Sequence, residues 1–182
     1  MKIKSKIMDE LAVTRAMARI THEIIEKNNG AENVILLGVK RRGVPLSKML
    51  ADNIERFENI KVPVGYLDTT PHRDDLTEAD KASLAGECHF PCDITDKTVI
   101  IVDDVLYTGR TARAAIESVF AFGRPKALQL AVLVDRGHRE LPIRADYVCK
   151  NLPTSHTEKV LVKVEDIDNE TGVYIAEKIR EI

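Results

Sequence analysis

Two carboxylates, Asp103 and Asp104, close the β-branched run Val99-Ile-Ile-Val102. After three intervening residues comes Thr108-Gly109-Arg110-Thr111. Adjacent carboxylates only accept hydrogen bonds, which suits them to sugar hydroxyls or to a hard cation such as Mg²⁺. A Thr-Gly-x-Thr loop that opens a helix presents hydroxyl donors, unpaired backbone N–H groups and the positive end of the helix dipole, the surroundings a phosphate needs. Together these groups suit a phosphorylated sugar bound with a metal. The plainer alternative is a strand end whose Asp residues merely cap the next helix. A strand, acidic pair, hydroxyl–glycine loop and helix in succession is more specific than an isolated Asp-Asp.

Such groups need a scaffold, and the flanking patterns supply one. Val99–Val102 reads as a strand buried on both faces, and Ala112, Ala115, Ile116 and Val119 share one apolar helix face. A second strand–loop–helix unit lies upstream: Val34 to Val39, then Lys40-Arg41-Arg42-Gly43, then a helix from about Val44 to Arg56. Repeated units of this kind predict a parallel sheet, with both loops on its carboxyl edge where ligands bind. Three cations beside a glycine there suit pyrophosphate. Val62 to Leu67 and Ala127 to Val134 read as further strands, the latter ending at Asp135 and Arg136. Tyr147–Cys149, Val160–Val164 and Val173–Ile175 read as shorter ones. Residues 68–97 carry no strong pattern, and a loop of that length after a strand predicts a flexible segment able to close over substrate, part of it open to a β-ribbon.

Residues 9–28 predict the first helix, with Asp9 as N-cap and Asn28-Asn29-Gly30 as the stop. Val13, Met17, Ile20 and Ile24 form its core face. Arg15, Arg19, His22 and Glu26 recur on another, which by spacing alone reads as a solvated helix face.

The 182 residues suffice for one domain spanning 1–182, and 44% hydrophobic with 31% charged residues is a soluble composition. No apolar run nears the roughly 20 residues of a membrane span, and the start Met-Lys-Ile-Lys-Ser-Lys lacks the apolar stretch of a signal peptide, so a cytoplasmic, membrane-free protein is expected. Cys88, Cys92 and Cys149 form no disulfide framework. Cys88-His89-x-x-Cys92 lacks a second ligand pair for zinc, so the cysteines read as incidental. With a net charge of −2, any nucleic-acid binding must use a local basic patch.

The segment Val99 to Ala112 resembles the phosphoribosyl diphosphate (PRPP) motif of type I phosphoribosyltransferases. The resemblance implies an α/β fold with a mainly parallel central sheet flanked by helices, a flexible loop and a small hood. It also implies that Asp103 and Asp104 meet the ribose hydroxyls, that Mg²⁺ binds at this pair directly or through ribose or water, that Thr108, Gly109, Arg110 and Thr111 wrap the 5′-phosphate, and that Val105, Leu106 and Tyr107 belong to the same PRPP-binding segment. Lys40, Arg41, Arg42 and Gly43 then serve PRPP, Arg73 contacts it from the long loop, and Asp135 and Arg136 face the base.

The motif itself does not choose the base. Over nearly its whole length the chain resembles the bifunctional pyrimidine-operon attenuation regulators that also have uracil phosphoribosyltransferase activity. The resemblance is carried by Asp103 to Thr111, Arg73-Asp-Asp-Leu76, Gln129 to Tyr147 and Lys150-Asn-Leu-Pro-Thr-Ser155. It implies conversion of uracil and PRPP to UMP and diphosphate, and binding of the pyrimidine operon leader mRNA promoted by UMP or UTP. It further implies a homo-oligomer, a dimer or larger. The RNA-contact positions fall on Arg19, His22, Arg139, Arg144 and Lys150, with Arg15 on the same helix row. Ala18 stands where members often carry a hydroxyl residue. The alternative is a salvage enzyme for another nucleobase without RNA regulation.

Overall fold

The computed structural model describes residues 1–69 and 87–177. Its elements are β1 (Lys2–Met8), α1 (Glu10–Lys27), β2 (Val34–Val39), α2 (Gly43–Glu58), β3 (Val64–Leu67), β4 (Thr98–Leu106), α3 (Arg110–Phe122), β5 (Ala127–Asp135), β6 (Tyr147–Asn151), β7 (Glu158–Lys163), α4 (Glu165–Asp168) and β8 (Gly172–Glu177). Five strands form a parallel sheet in the order β3-β2-β4-β5-β6. Three more, β1-β8-β7, form an antiparallel sheet.

All six residues of β2 are buried, as a strand covered on both faces requires. The pleat divides the strand side chains between two cores. Leu36, Ile100, Val102 and Leu133 pack with α1 and α2 through Met17, Ile20, Ile24, Leu46, Leu50 and Ile54. Ile35, Leu37, Val99, Ile101 and Val132 pack with α3 through Ala112, Ala115 and Val119. Met8, Val162 and Val173 of the smaller sheet, with Val164 just after β7, join the first core, which seats that sheet beside α1.

Helix α1 starts where its cap predicts: an Asp9 carboxylate oxygen accepts the Ala12 N–H at 2.8 Å. It stops at Asn28, followed by positive φ at Asn29 and Gly30. Helix α2 begins at Gly43, one residue before the expected start, and reaches Glu58.

The structure differs from the expectation in two places. Asp103 and Asp104 lie inside β4 rather than past its end, because β5 keeps pairing with β4 as far as Leu106 and Asp135. The N-terminal residues form β1, whose Lys2, Lys4 and Lys6 hide the strand pattern; backbone pairing with β8 and the Lys4 contacts to Glu158 (2.7 Å) and Glu177 (3.1 Å) hold it. Among the described residues no helix is long and apolar enough to cross a membrane.

Candidate active site

Strands β2 and β4 are neighbours, with Gly38 opposite Val102, so the loops leaving them open on one edge. Asp103 turns one oxygen back to accept the Asp104 N–H, and Asp104 does the same for the Val105 N–H, both at 2.8 Å. Removal from water, reinforced by the adjacent Asp104 charge, pushes the Asp103 carboxyl well above the usual carboxylate range. Such a pair gains most from a cation, or from hydroxyl donors, placed against it.

The loop after β4 delivers the N-terminus of α3. Gly109 there has φ +95°, a conformation open to glycine, and itself gives no side-chain cap, while the Arg110 N–H makes only a long 3.4 Å bond to the Thr108 hydroxyl. The first-turn N–H groups of α3 therefore suit a phosphate. The loop is braced from behind, since the Thr108 carbonyl accepts N–H bonds from Glu140 (3.0 Å) and Leu141 (3.1 Å). Arg110 is paired with Glu140.

On the β2 side the Lys40–Arg41 peptide bond is cis. A Cβ added at Gly43 would lie 2.2 Å from the Val102 carbonyl oxygen, so only glycine lets this loop seat against β4. The Lys40 ammonium lies over the Tyr66 ring (4.5 Å), with Asp68 at 3.9 Å and Glu87 at 3.8 Å. Arg41 is exposed. Arg42 is not turned over to the same use: it forms a bidentate pair with Asp168 of α4.

At the third strand end, Asp135 accepts the Gly137 N–H at 3.0 Å and pairs with Arg139. Arg136 is only 6% exposed. It donates to the Thr154 hydroxyl and the Ser155 and Glu158 carbonyls, and its guanidinium stacks 4.0 Å from the Tyr107 ring. With its donors spent on the protein, Arg136 does not face a base as expected but braces Tyr107 and the 154–158 segment from inside. Arg139 is similarly committed, donating to the Ile143 (2.9 Å) and Tyr107 (2.6 Å) carbonyls, so it ties the phosphate loop to the β5 end. Arg73 lies outside the described residues.

The α1 row lies elsewhere. Arg15, Arg144 and Lys150 are exposed. Arg19 pairs with Glu23 and donates to the Val148 and Cys149 carbonyls, both at 2.9 Å, so the α1 row meets the β6 edge beside Lys150. The His22 ring stacks on Phe57 at 4.2 Å. Cys149 is buried against Met17, and that burial pushes its thiol up to about 12. No group of His, Cys, Asp or Glu able to hold a metal unaided occurs among the described residues.

Asp168, Glu87 and Tyr66 are site-edge residues absent from the sequence reading. Asp168 is 126 residues from Arg42, and nothing in its local pattern marks it.

Groups for a ribose, a phosphate and a second anion on one parallel-sheet edge are what transfer of a phosphoribosyl group requires. The family described as Phosphoribosyl transferase domain matches residues 5–167, and the chain belongs to it. Its curated relatives include the Bifunctional protein PyrR of Clostridium novyi (strain NT), 57% identical over 98% of this chain and 100% of that protein. The Bifunctional protein PyrR of Thermoanaerobacter pseudethanolicus is 54% identical, with the same coverage. Among solved structures, the hypoxanthine phosphoribosyltransferase from Trypanosoma cruzi in complex with the product IMP superposes with a TM-score of 0.73. It is 18% identical over 96% of this chain and 91% of that one, a likeness of fold alone.

Proposed function

We propose that the chain is an RNA-binding attenuator of the pyrimidine biosynthetic operon, responsive to uridine nucleotides, that also converts uracil and PRPP to UMP and diphosphate. The observation that carries this reading is the separation of two surfaces. The acidic pair, phosphate loop and cationic loop gather at the ends of β2 and β4, whereas the α1 row meets the edge strand β6 through Arg19, with Arg15, Arg144 and Lys150 exposed. Full-length similarity to proteins called bifunctional supports it. Self-association into a dimer or larger assembly belongs to the same reading.

In the transfer step a uracil ring nitrogen attacks the anomeric carbon as the bond to pyrophosphate breaks; the nitrogen gives up its proton to water and the electron pair of the broken bond leaves with pyrophosphate. Asp103 and Asp104 accept the ribose hydroxyls and face the positive charge that grows on the sugar. The N-terminus of α3 anchors the 5′-phosphate, fixing the ribose in line for attack. Lys40 and Arg41 receive the departing charge. The hard oxygen donors of Asp103 and Asp104 fit Mg²⁺ only when substrate oxygens complete its shell, since two carboxylates do not enclose it. Bound there, the ion would neutralise charge on the leaving pyrophosphate.

A competition assay with uracil, hypoxanthine and orotate tests the enzyme assignment. Uracil should be turned over preferentially, and preference for either other base would sink it. For the regulator, a gel shift with a pyrimidine-operon leader RNA should show binding that UMP strengthens. Arg144→Gln should weaken it roughly tenfold, as for loss of one contact of about 1–3 kcal/mol, while uracil transfer stays nearly unchanged. Equal loss of both activities would mean the two surfaces are one. Arg144 is a cleaner probe than Arg19, whose removal also strips two bonds between α1 and β6.

A further inference from the structure

Arg42 ends the cationic loop, yet its guanidinium belongs to the other sheet. Nε donates to one Asp168 oxygen at 3.0 Å and a terminal nitrogen to the other at 2.8 Å. Asp168 also accepts the Val164 N–H at 3.0 Å. The two side chains are 34% and 17% exposed, so water screens the pair only in part. Arg42 gives no side-chain cap to α2 and immediately precedes Gly43, which sits against the Val102 carbonyl. One end of the loop is thus fixed by a backbone wedge and, one residue earlier, by a two-pronged ion pair to α4. The Arg42 hydrogen bonds hold the Asp168 carboxyl below the usual carboxylate range.

We infer that Asp168 is a positioning residue for phosphoribosyl transfer: through Arg42 it fixes the loop that receives pyrophosphate, and it leaves Lys40, Arg41 and the first-turn N–H groups of α2 as the anion's ligands. The inference rests on the transferase reading above, and it changes the role of Arg42 from ligand to strut. A planar guanidinium is required, because a lysine ammonium cannot make both parallel bonds.

The test uses the full chain, steady-state kinetics with each substrate varied, and calorimetric titration of inorganic pyrophosphate. Asp168→Asn should raise KM for PRPP and Kd for pyrophosphate in parallel, by about tenfold, the scale of one charge-assisted bidentate pair. KM for uracil should stay within about twofold, since that interaction is not part of the strut. Arg42→Lys should match it although the charge is kept, and Arg42→Gln/Asp168→Asn should be no worse than either single change. If Arg42 were itself the anion's ligand, Asp168→Asn would leave pyrophosphate binding unchanged or tighter, and the inference would fail. Additive losses would overturn it too. So would a fall in kcat with both KM values raised alike and a collapsed melting temperature, the mark of a general structural role. A wild-type protein inactive on uracil would remove the function assignment, while the pyrophosphate titrations would still decide the role of Asp168.

Discussion

Asp104→Asn should lower kcat for uracil transfer by roughly 100-fold or more, the usual cost of removing one charge-stabilising group, with the melting temperature nearly unmoved. Asn has the same shape, and its carbonyl oxygen can still accept the Val105 N–H that Asp104 accepts at 2.8 Å. What it loses is negative charge where the ribose becomes cationic. A second readout follows from the neighbour. Part of what lifts the Asp103 carboxyl above its ordinary range is the Asp104 charge. With that charge gone, Asp103 should ionise at lower pH, and the acid limb of any residual activity should move down with it. Steady-state kinetics across pH and a thermal melt check both parts; unchanged kinetics would count against the ribose assignment.

Gly43→Ala should damage both stability and catalysis. The new methyl carbon would fall 2.2 Å from the Val102 carbonyl oxygen and 3.2 Å from its carbon. These are backbone atoms in a strand paired with β2 and β5, so they cannot yield as a side-chain tip would. An overpacking cost of about 3 kcal/mol is expected, which for a chain this size lowers the melting temperature by roughly 6–12 °C. The loop would also lift away from β4, so KM for PRPP should rise. Gly137→Ala is the control. That position has φ +79° but nothing within 4 Å of an added Cβ, so only the strain of about 1 kcal/mol for a left-handed residue applies. An equal loss in the two variants would show that the contact with Val102 does not matter.

The sequence made the central sheet readable because burial on both faces leaves unbroken apolar runs, as in Val34–Val39 and Val99–Val102. It made α1 readable down to its Asp9 cap, because capping is local chemistry. β1 stayed hidden because an edge strand is held by backbone pairing and needs no apolar face. Residue types at the ligand edge were visible, but their partners were not. Arg42 and Arg139 look like free cations in the sequence, and only tertiary folding supplies Asp168, Asp135 and the carbonyls that occupy them. The apolar run ends before the acidic pair, yet the strand does not, because no local signal tells how far β5 continues alongside.

Lys40 has Asp68 and Glu87 near it, Arg42 has Asp168, Arg110 has Glu140, and Arg139 has Asp135. These four cations of the catalytic edge thus come with their own built-in counterions, beside the exposed Arg41. An arriving diphosphate meets a locally neutral, zwitterionic surface rather than a basic one cloaked in dissolved salt. Capturing it on Lys40 exchanges a protein carboxylate for a substrate oxygen, with few bulk ions set free, while Arg42 keeps Asp168. The nucleotide pocket should therefore be far less sensitive to ionic strength than an open basic surface that gathers phosphates by displacing condensed ions. Salt becomes a variable that addresses the two faces of the molecule separately.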